Sequence, residues 1–219
     1  QLLNNDGQEP NNGAGPITAS TPLVDKTVKD SQFSVKYAYE NPDNNWLNPK
    51  LHLYRNDTEV EEQDIVGSAN AGRVQVREIN TLGFTVDNQS KLAINDHHQH
   101  TLSYGFEIYK DEQTGKNSFI GSRAGVPDAE ATNYGFYLQD ELALKTSFGE
   151  LLIIPAARYD HYKSDDENGN DQDESKVSPK LSATYKPNDH FMVFGSAAKA
   201  FRAPNLTELY PSGQHFQGV

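Results

Sequence analysis

Apolar residues along this chain recur at every second position far more often than at every third or fourth, the pattern of strands with two unlike faces. From Thr81 to Asn95 one face reads Leu82, Phe84, Val86, Asn88, Ser90, Leu92, Ile94, and the other reads Gly83, Thr85, Asp87, Gln89, Lys91, Ala93. The same alternation runs through Phe33, Val35, Tyr37 and Tyr39, and through Leu102, Tyr104, Phe106 and Ile108. It returns in Tyr134, Phe136, Leu138, Leu142 and Leu144, interrupted by Asp140, and in Val177, Leu181, Ala183 and Tyr185. Residues 47–56, 151–163 and 191–201 are less regular but rich in apolar and aromatic side chains, so eight strands are predicted. The segment 81–95 is far longer than the roughly 5–6 residues typical of a soluble sheet.

The connections sharpen the picture. Short turns are predicted at 41–45, 96–99, 146–150 and 187–190, and long polar connections at 57–78, 112–132, 164–175 and from Asn205 onward. Successive connections of up-and-down antiparallel strands fall at opposite ends, so the short turns gather at one pole and the long ones at the other. Outer-membrane barrels have this asymmetry, with tight periplasmic turns and long extracellular loops. Residues 1–30, with Asn-Asn, Gly-Ala-Gly-Pro and Thr-Pro elements, read as an irregular extracellular-type loop segment ahead of a barrel region at 31–219.

Composition agrees with strands in a membrane rather than helices. Only 35% of the 219 residues are apolar, and no stretch approaches the roughly 18 apolar residues of a spanning helix. A spanning strand needs only about 9–11 residues with every second one apolar. Trp46 is the single tryptophan, which leaves any aromatic girdle to the 11 Tyr and 10 Phe. The net charge of −12, from 31 acidic against 19 basic residues, makes nucleic acid a poor partner and favours a cation or a basic protein. There is no cysteine for a thiolate site or nucleophile. Residues 1–20 have no basic start and no apolar run, so the chain reads as an internal or processed piece.

Sites of chemistry are few. No GxSxG elbow, HExxH pair or phosphate-cradling glycine loop is present, and the expectation is that the chain is not an enzyme. His97, His98 and His100 crowd one short turn, where close imidazoles can capture a metal. A tight periplasmic turn is poorly shaped to converge them, and they are read as turn residues. The acidic run 164–175 fails as a calcium loop, because placing Gly169 at the invariant glycine puts Ser164 and Ser175 where the terminal ligands belong. It is read as a solvated acidic loop.

The final strand runs into Ala200-Phe201-Arg202-Ala203-Pro204-Asn205-Leu206-Thr207-Glu208-Leu209-Tyr210. Phe201, Arg202, Ala203 and Pro204 resemble the FRAP box of TonB-dependent outer-membrane receptors, particularly the haem and haemoglobin group. Residues 134–141, 154–160 and 178–181 are similar to consecutive barrel strands of that family, and the likeness extends over roughly 75–216. The resemblance implies a transmembrane β-barrel of 22 strands, of which this chain supplies about eight, with a plug and a TonB box that are not recognisable here. Pro204, lacking a donor, is expected to end the last ladder.

In the haem-receptor group the FRAP box is followed by an extracellular loop with a histidine and then an NPNL box, a motif that the residues up to Val219 do not contain. Residues 210–216 resemble that loop, and His215 matches the histidine. The resemblance therefore implies that His215, with Tyr210 as a lesser candidate, ligates the iron of haem carried as transported ligand. It also implies haem or a haem-carrying protein, the TonB complex and outer-membrane lipid as partners, in the bacterial outer membrane. A zinc receptor of the same superfamily would share Glu208-Leu209-Tyr210 followed by a histidine. A siderophore receptor, a small structural barrel and a soluble β-sandwich binding module stay open as alternatives.

Overall fold

The structure, a computed structural model, describes residues 2–10, 23–66, 70–123 and 125–209. They form one antiparallel sheet: β1 (Leu2–Pro10), β2 (Leu23–Ala38), β3 (Lys50–Val66), β4 (Val74–Asn95), β5 (His98–Asn117), β6 (Gly121–Ser122), β7 (Ala129–Thr146), β8 (Gly149–Asp166), β9 (Asp171–Asn188) and β10 (Phe191–Ala198). Each long strand lies beside its sequence neighbour from β1 to β10, the two-residue β6 pairing only with β5. The sheet is open among the described residues, with β1 and β10 at its edges. A four-residue helix, α1 (Leu206–Leu209), follows.

Register turns the alternation of single strands into two continuous surfaces. Tyr37, Leu51, Val86, Phe106, Phe136, Tyr159 and Val177 stand opposite one another as one unbroken row across seven strands. The Phe106 and Phe136 ring centroids are 4.8 Å apart within it. On β9 the apolar stretch runs from Val177 to Tyr185, the length of about 9–11 residues that crosses a hydrocarbon layer as a tilted strand. These side chains face outward from the sheet: Phe33 is 64% exposed, Phe136 52% and Leu181 53%. A contiguous band of that size has no place in water, and lipid is the solvent that suits it.

Above the band the same face becomes charged within two residues. Lys110 and Lys163 lie in one row, and Glu112, Glu130, Asp165 and Asp171 oppose one another in the next. Like charges directly opposite destabilise a sheet. Lys110 relieves part of this by reaching Glu112 at 2.9 Å and Glu130 at 2.6 Å.

The eight predicted strands are all present, and two additions correct the reading. Residues 1–30, expected to be irregular, contain β1 and the start of β2, paired from Leu2↔Ser31 to Pro10↔Leu23; residues 11–22 lie outside the described residues. The predicted long loops are mostly strand, since β3 and β4 zip together as far as Gln63↔Val74, and β8 and β9 as far as Asp165↔Asp171. These extensions are mostly polar on both faces, with Val60 a buried apolar exception, and carry no sustained hydrophobic alternation. Cross-strand pairs hold them instead, such as Lys29–Glu59 at 2.7 Å, Lys116–Glu78 at 3.0 Å and Thr81–Asp111 at 2.7 Å.

The separation of poles holds. Two-residue turns at 96–97, 147–148 and 189–190 share one end with the connection 39–49. That connection is longer than predicted because it keeps following β4: the Lys91 N–H donates to Asn45 O at 2.6 Å, and Trp46 O accepts from Asn88 and Ser90. The opposite pole, taken among the described residues as 2–10, 23–31, 56–66, 70–80, 110–123, 125–132 and 163–176, holds 20 acidic and 9 basic residues, a net −11 of the chain's −12.

The two surfaces predict opposite responses to one substitution. In the full-length protein folded into phospholipid vesicles, Phe136→Lys lowers unfolding free energy by about 2–4 kcal/mol, whereas Gln139→Lys on the other face leaves it near wild type. Equal losses would mean that both faces meet the same solvent.

Candidate functional site

The polar face is built around three glycines on adjacent strands. Gly83, Gly105 and Gly135 leave room for larger side chains of neighbouring strands to lie flat across the sheet. The Tyr54 ring covers Gly83. Tyr137 crosses Gly105 to donate its hydroxyl to Asp87 at 2.7 Å, and a Cβ on Gly105 would stand 2.5 Å from that carboxylate. The Arg158 guanidinium lies over Gly135, where a Cβ would approach its Nη2 to 2.5 Å. Arg158 is thereby held between Glu107, at 2.8 Å, and Asp160, at 2.6 Å.

Beside this ion-paired centre the chain changes course. β10 ends at Ala198, and the Lys199 N–H makes the last backbone-to-backbone bond along β9, to Pro179 O at 3.0 Å. Pro204 therefore does not end the ladder as expected; the departure comes six residues earlier, where the backbone leaves the edge of the sheet. The Phe201 N–H donates to the Ser178 hydroxyl at 3.1 Å. The chain then crosses the polar face of β7 and β8, where Leu206, 4% exposed, packs against Ala129, Ala131 and Tyr162, with Ala203 and Leu209 alongside. Burial of a leucine contributes about 1.5–3 kcal/mol.

Polar bonds shape the same turn. Asn205 caps α1 through its Oδ1, which accepts the Glu208 N–H at 2.8 Å, while the Glu208 carboxylate accepts the Asn205 N–H at 3.0 Å. This is a reciprocal capping box. The second role of Glu208 is to bind Arg202 at 2.7 Å. That hydrogen bond from Arg202 is the main reason the Glu208 carboxyl sits below its ordinary value of 4.5, with the Asn205 N–H adding to it. Between this segment and the sheet lies a cavity of about 170 Å³, walled by Glu107, Tyr109, Asn133, Arg158 and Asp160 and bordered by Phe201 and Ala203.

The predicted site residues divide accordingly. Phe201 and Ala203 border the cavity, Arg202 and Glu208 bind each other, and His215 and Tyr210 lie outside the described residues. The crowded histidines do not converge: the His98 and His100 rings are 4.9 Å apart, and His100 Nδ1 lies 2.7 Å from Asp140 Oδ2. Among the described residues no group of three or more His, Asp or Glu side chains is arranged for a metal. In the β8–β9 hairpin the Asp166 carboxylate is committed to its own turn, accepting the Asn168 and Asn170 N–H groups at 2.9 and 2.8 Å. Burial opposes its ionisation, and the Asn170 and Asn168 donors together outweigh that, so Asp166 titrates below the ordinary range. Gly169, with φ of 79°, completes the turn.

Sequence reasoning missed Glu107, Arg158, Asp160 and Leu206. Only the i, i+2 spacing of Arg158 and Asp160, which puts both on the polar face, signalled the ion-paired centre. Nothing local marked Leu206.

An open, polar-lined sheet with an outward apolar band and one acid-rich pole is the wall of a larger barrel, and comparison with known proteins says which. The sequence model described as TonB dependent receptor-like, beta-barrel matches residues 2–219. The chain belongs to the TonB-dependent receptor β-barrel family. It is 32% identical over 217 residues to the hemin receptors of Yersinia enterocolitica and Yersinia pestis, covering 99% of this chain and 30% of theirs. It is 30% identical over 199 residues to the heme/hemopexin utilization protein C of Haemophilus influenzae, covering 89% of this chain and 26% of that protein. Among solved structures it resembles a double mutant of the Serratia marcescens hemophore receptor HasR in complex with its hemophore HasA and heme. The TM-score is 0.71 at 18% identity, over 94% of this chain and 34% of that one. The chain thus spans about 30% of the length of the curated relatives it matches. The family is one of outer-membrane transport receptors, not of enzymes.

The Arg202–Glu208 clasp has a defined pH response. Because the Glu208 carboxyl titrates below 4.5 in the folded chain, the clasp is fully present above that value and is lost as pH falls through the lowered one. A carboxyl-resolved NMR titration should place Glu208 below 4.5, and Arg202→Gln should bring it back toward 4.5. A Glu208 that titrates at its ordinary value in both proteins would contradict the clasp.

Proposed function

We propose that this chain is part of the wall and extracellular mouth of an outer-membrane receptor that binds haem or a haem-carrying protein and imports haem with TonB-derived energy. The observation that carries the reading is 32% identity to hemin receptors across 99% of the chain, aligned on strands that alternate apolar and polar faces. The fold neighbour whose complex contains a hemophore and heme supports it.

In this reading the apolar band seats the wall in the bilayer, and the polar face lines the passage. The pole with 20 acidic and 9 basic residues faces the exterior and steers basic surface of a carrier toward the mouth. His215 supplies an imidazole to the haem iron, and Tyr210 is the lesser candidate in the same segment. A neutral imidazole suits haem iron, and a second axial ligand comes from elsewhere in the full-length protein. Transport energy enters through TonB at a part of the receptor outside this chain.

The test is a Soret-band titration of the full-length receptor with haem. Wild type should shift the band with saturable affinity, and His215→Ala should weaken binding at least tenfold and alter the band position. An unchanged affinity and spectrum in His215→Ala removes His215 from the mechanism. Loss of all haem response in wild type removes the haem reading itself.

A further inference from the structure

β5 stands at the middle of the sheet, with four strands on each side of it in the pairing order. It runs ten residues past Ile108, the outermost of its side chains in the apolar band, before turning at Ser118. At about 3.3 Å per residue that is roughly 33 Å along the strand, or roughly 23 Å above the band for a tilt of about 45°. The headgroup layer adds only about 5–8 Å on each side of the hydrocarbon, so the turn stands clear of the bilayer. It presents Phe119 and Ile120, which are 57% and 70% exposed. Residues 70–73 and 167–170, which turn at the same pole, include no large apolar side chain.

The apolar pair is not carried on a loose loop. Three residues join β5 to β6, and Gly121, with φ of 92°, closes the hairpin in the left-handed conformation that a three-residue loop calls for. The buried Asn117 accepts the Phe119 N–H on its Oδ1 at 3.0 Å. Ser118 and Val74 bond reciprocally: the Ser118 N–H donates to Val74 O and the Val74 N–H to Ser118 Oγ, both at 2.9 Å. Behind the turn, Arg123 reaches past β4 to Glu62 of β3. The cations at the base of the turn are thereby paired, Lys116 with Glu78 at 3.0 Å and Arg123 with Glu62, in a pole that holds 20 acidic against 9 basic residues.

We propose that Phe119 and Ile120 are the apolar anchor of a docking surface for a soluble protein whose own apolar pocket is rimmed by lysine and arginine. In the haem-receptor reading given above, on which the identity of that protein rests, it is the haem carrier, and the anchor touches the carrier rather than the haem. A preformed turn presents both side chains with little ordering cost on binding. An aromatic side chain buried inside a polar rim is the kind of contact that dominates interface affinity. The excess of carboxylates around it complements the basic rim and raises the association rate, and the anchor slows dissociation.

The experiment measures binding of the full-length protein in detergent to haem-loaded haemoglobin and haem-loaded hemopexin by surface plasmon resonance, with a Soret titration of free haem in parallel. Wild type should bind at least one of the two carriers, with association that slows as salt rises. The double variant Phe119→Ser, Ile120→Ser should raise the dissociation rate roughly tenfold, keep the salt dependence of association and leave free-haem affinity at its wild-type value. Carrier binding unchanged in the double variant overturns the anchor and leaves the haem reading intact. So does a wild type that binds free haem but neither carrier. A parallel loss of free-haem affinity in the double variant also overturns it, because the turn would then act on the haem site or on the fold. Carrier binding that depends on Phe119 and Ile120 in a protein indifferent to free haem upholds the anchor and sinks the haem reading instead. A protein that binds neither haem nor carrier loses both.

Discussion

A sheet that faces hydrocarbon must satisfy its backbone from within, because no water is there to accept or donate in place of a neighbouring strand. The remaining features of this structure follow from that constraint. The ladder runs without a crossover from β1 to β10, and each central strand is paired on both sides. Proline marks where the rule is under pressure. At Pro155, in the middle of β8, pairing with β7 lapses opposite Asp140 and Glu141, while the bond pattern toward β9 continues through Pro155↔Leu181. The polar side chain on the apolar face at that break, the half-buried Asp140, is held by His100 of the strand on its other side.

Once the ladder is fixed, alternation assigns each residue to one of two solvents, and the two faces solve different problems. The apolar face needs breadth, which it gets from rows of Phe, Tyr, Leu and Val aligned across strands. The polar face needs room for large side chains to interact across the sheet, and glycines provide it: Tyr54, Tyr137 and Arg158 each lie over a glycine of the next strand. Arg158 between Glu107 and Asp160 is an ion pair network on the polar surface, arranged by a gap where a Cβ would be. Beyond the apolar band both faces are mostly polar, and bridges such as Lys29–Glu59 and Lys110–Glu130 cross the paired strands. Individually such exposed pairs are weak; repeated along an already aligned ladder, they extend it.

The segment that resembles the FRAP box acquires a physical role from this arrangement. Its arginine is not a membrane residue but half of a clasp, and its alanine packs at the root of a leucine buried on the polar face. The chain leaves the sheet edge well before the proline, so the box belongs to a turn across the polar face.

Alternation within a strand is a local property, since successive side chains point to opposite faces whatever the strand packs against. For that reason eight strands, their two faces and the division of connections between two poles were legible in the residues alone, as was the family likeness at Phe201–Pro204. The polar extensions of β3, β4, β8 and β9, and β1 with the start of β2, were not legible, because their stability lies in partners such as Glu59 for Lys29 that only register brings opposite. The burial of Leu206 was equally hidden: this leucine is apolar in a polar stretch until Ala129, Ala131 and Tyr162, far away in sequence, are folded beneath it. Sequence by itself determined which side chains form the outward apolar band. Tertiary structure decided where the polar strands end and where the chain turns, because both depend on pairs of residues that are neighbours only after the sheet has formed.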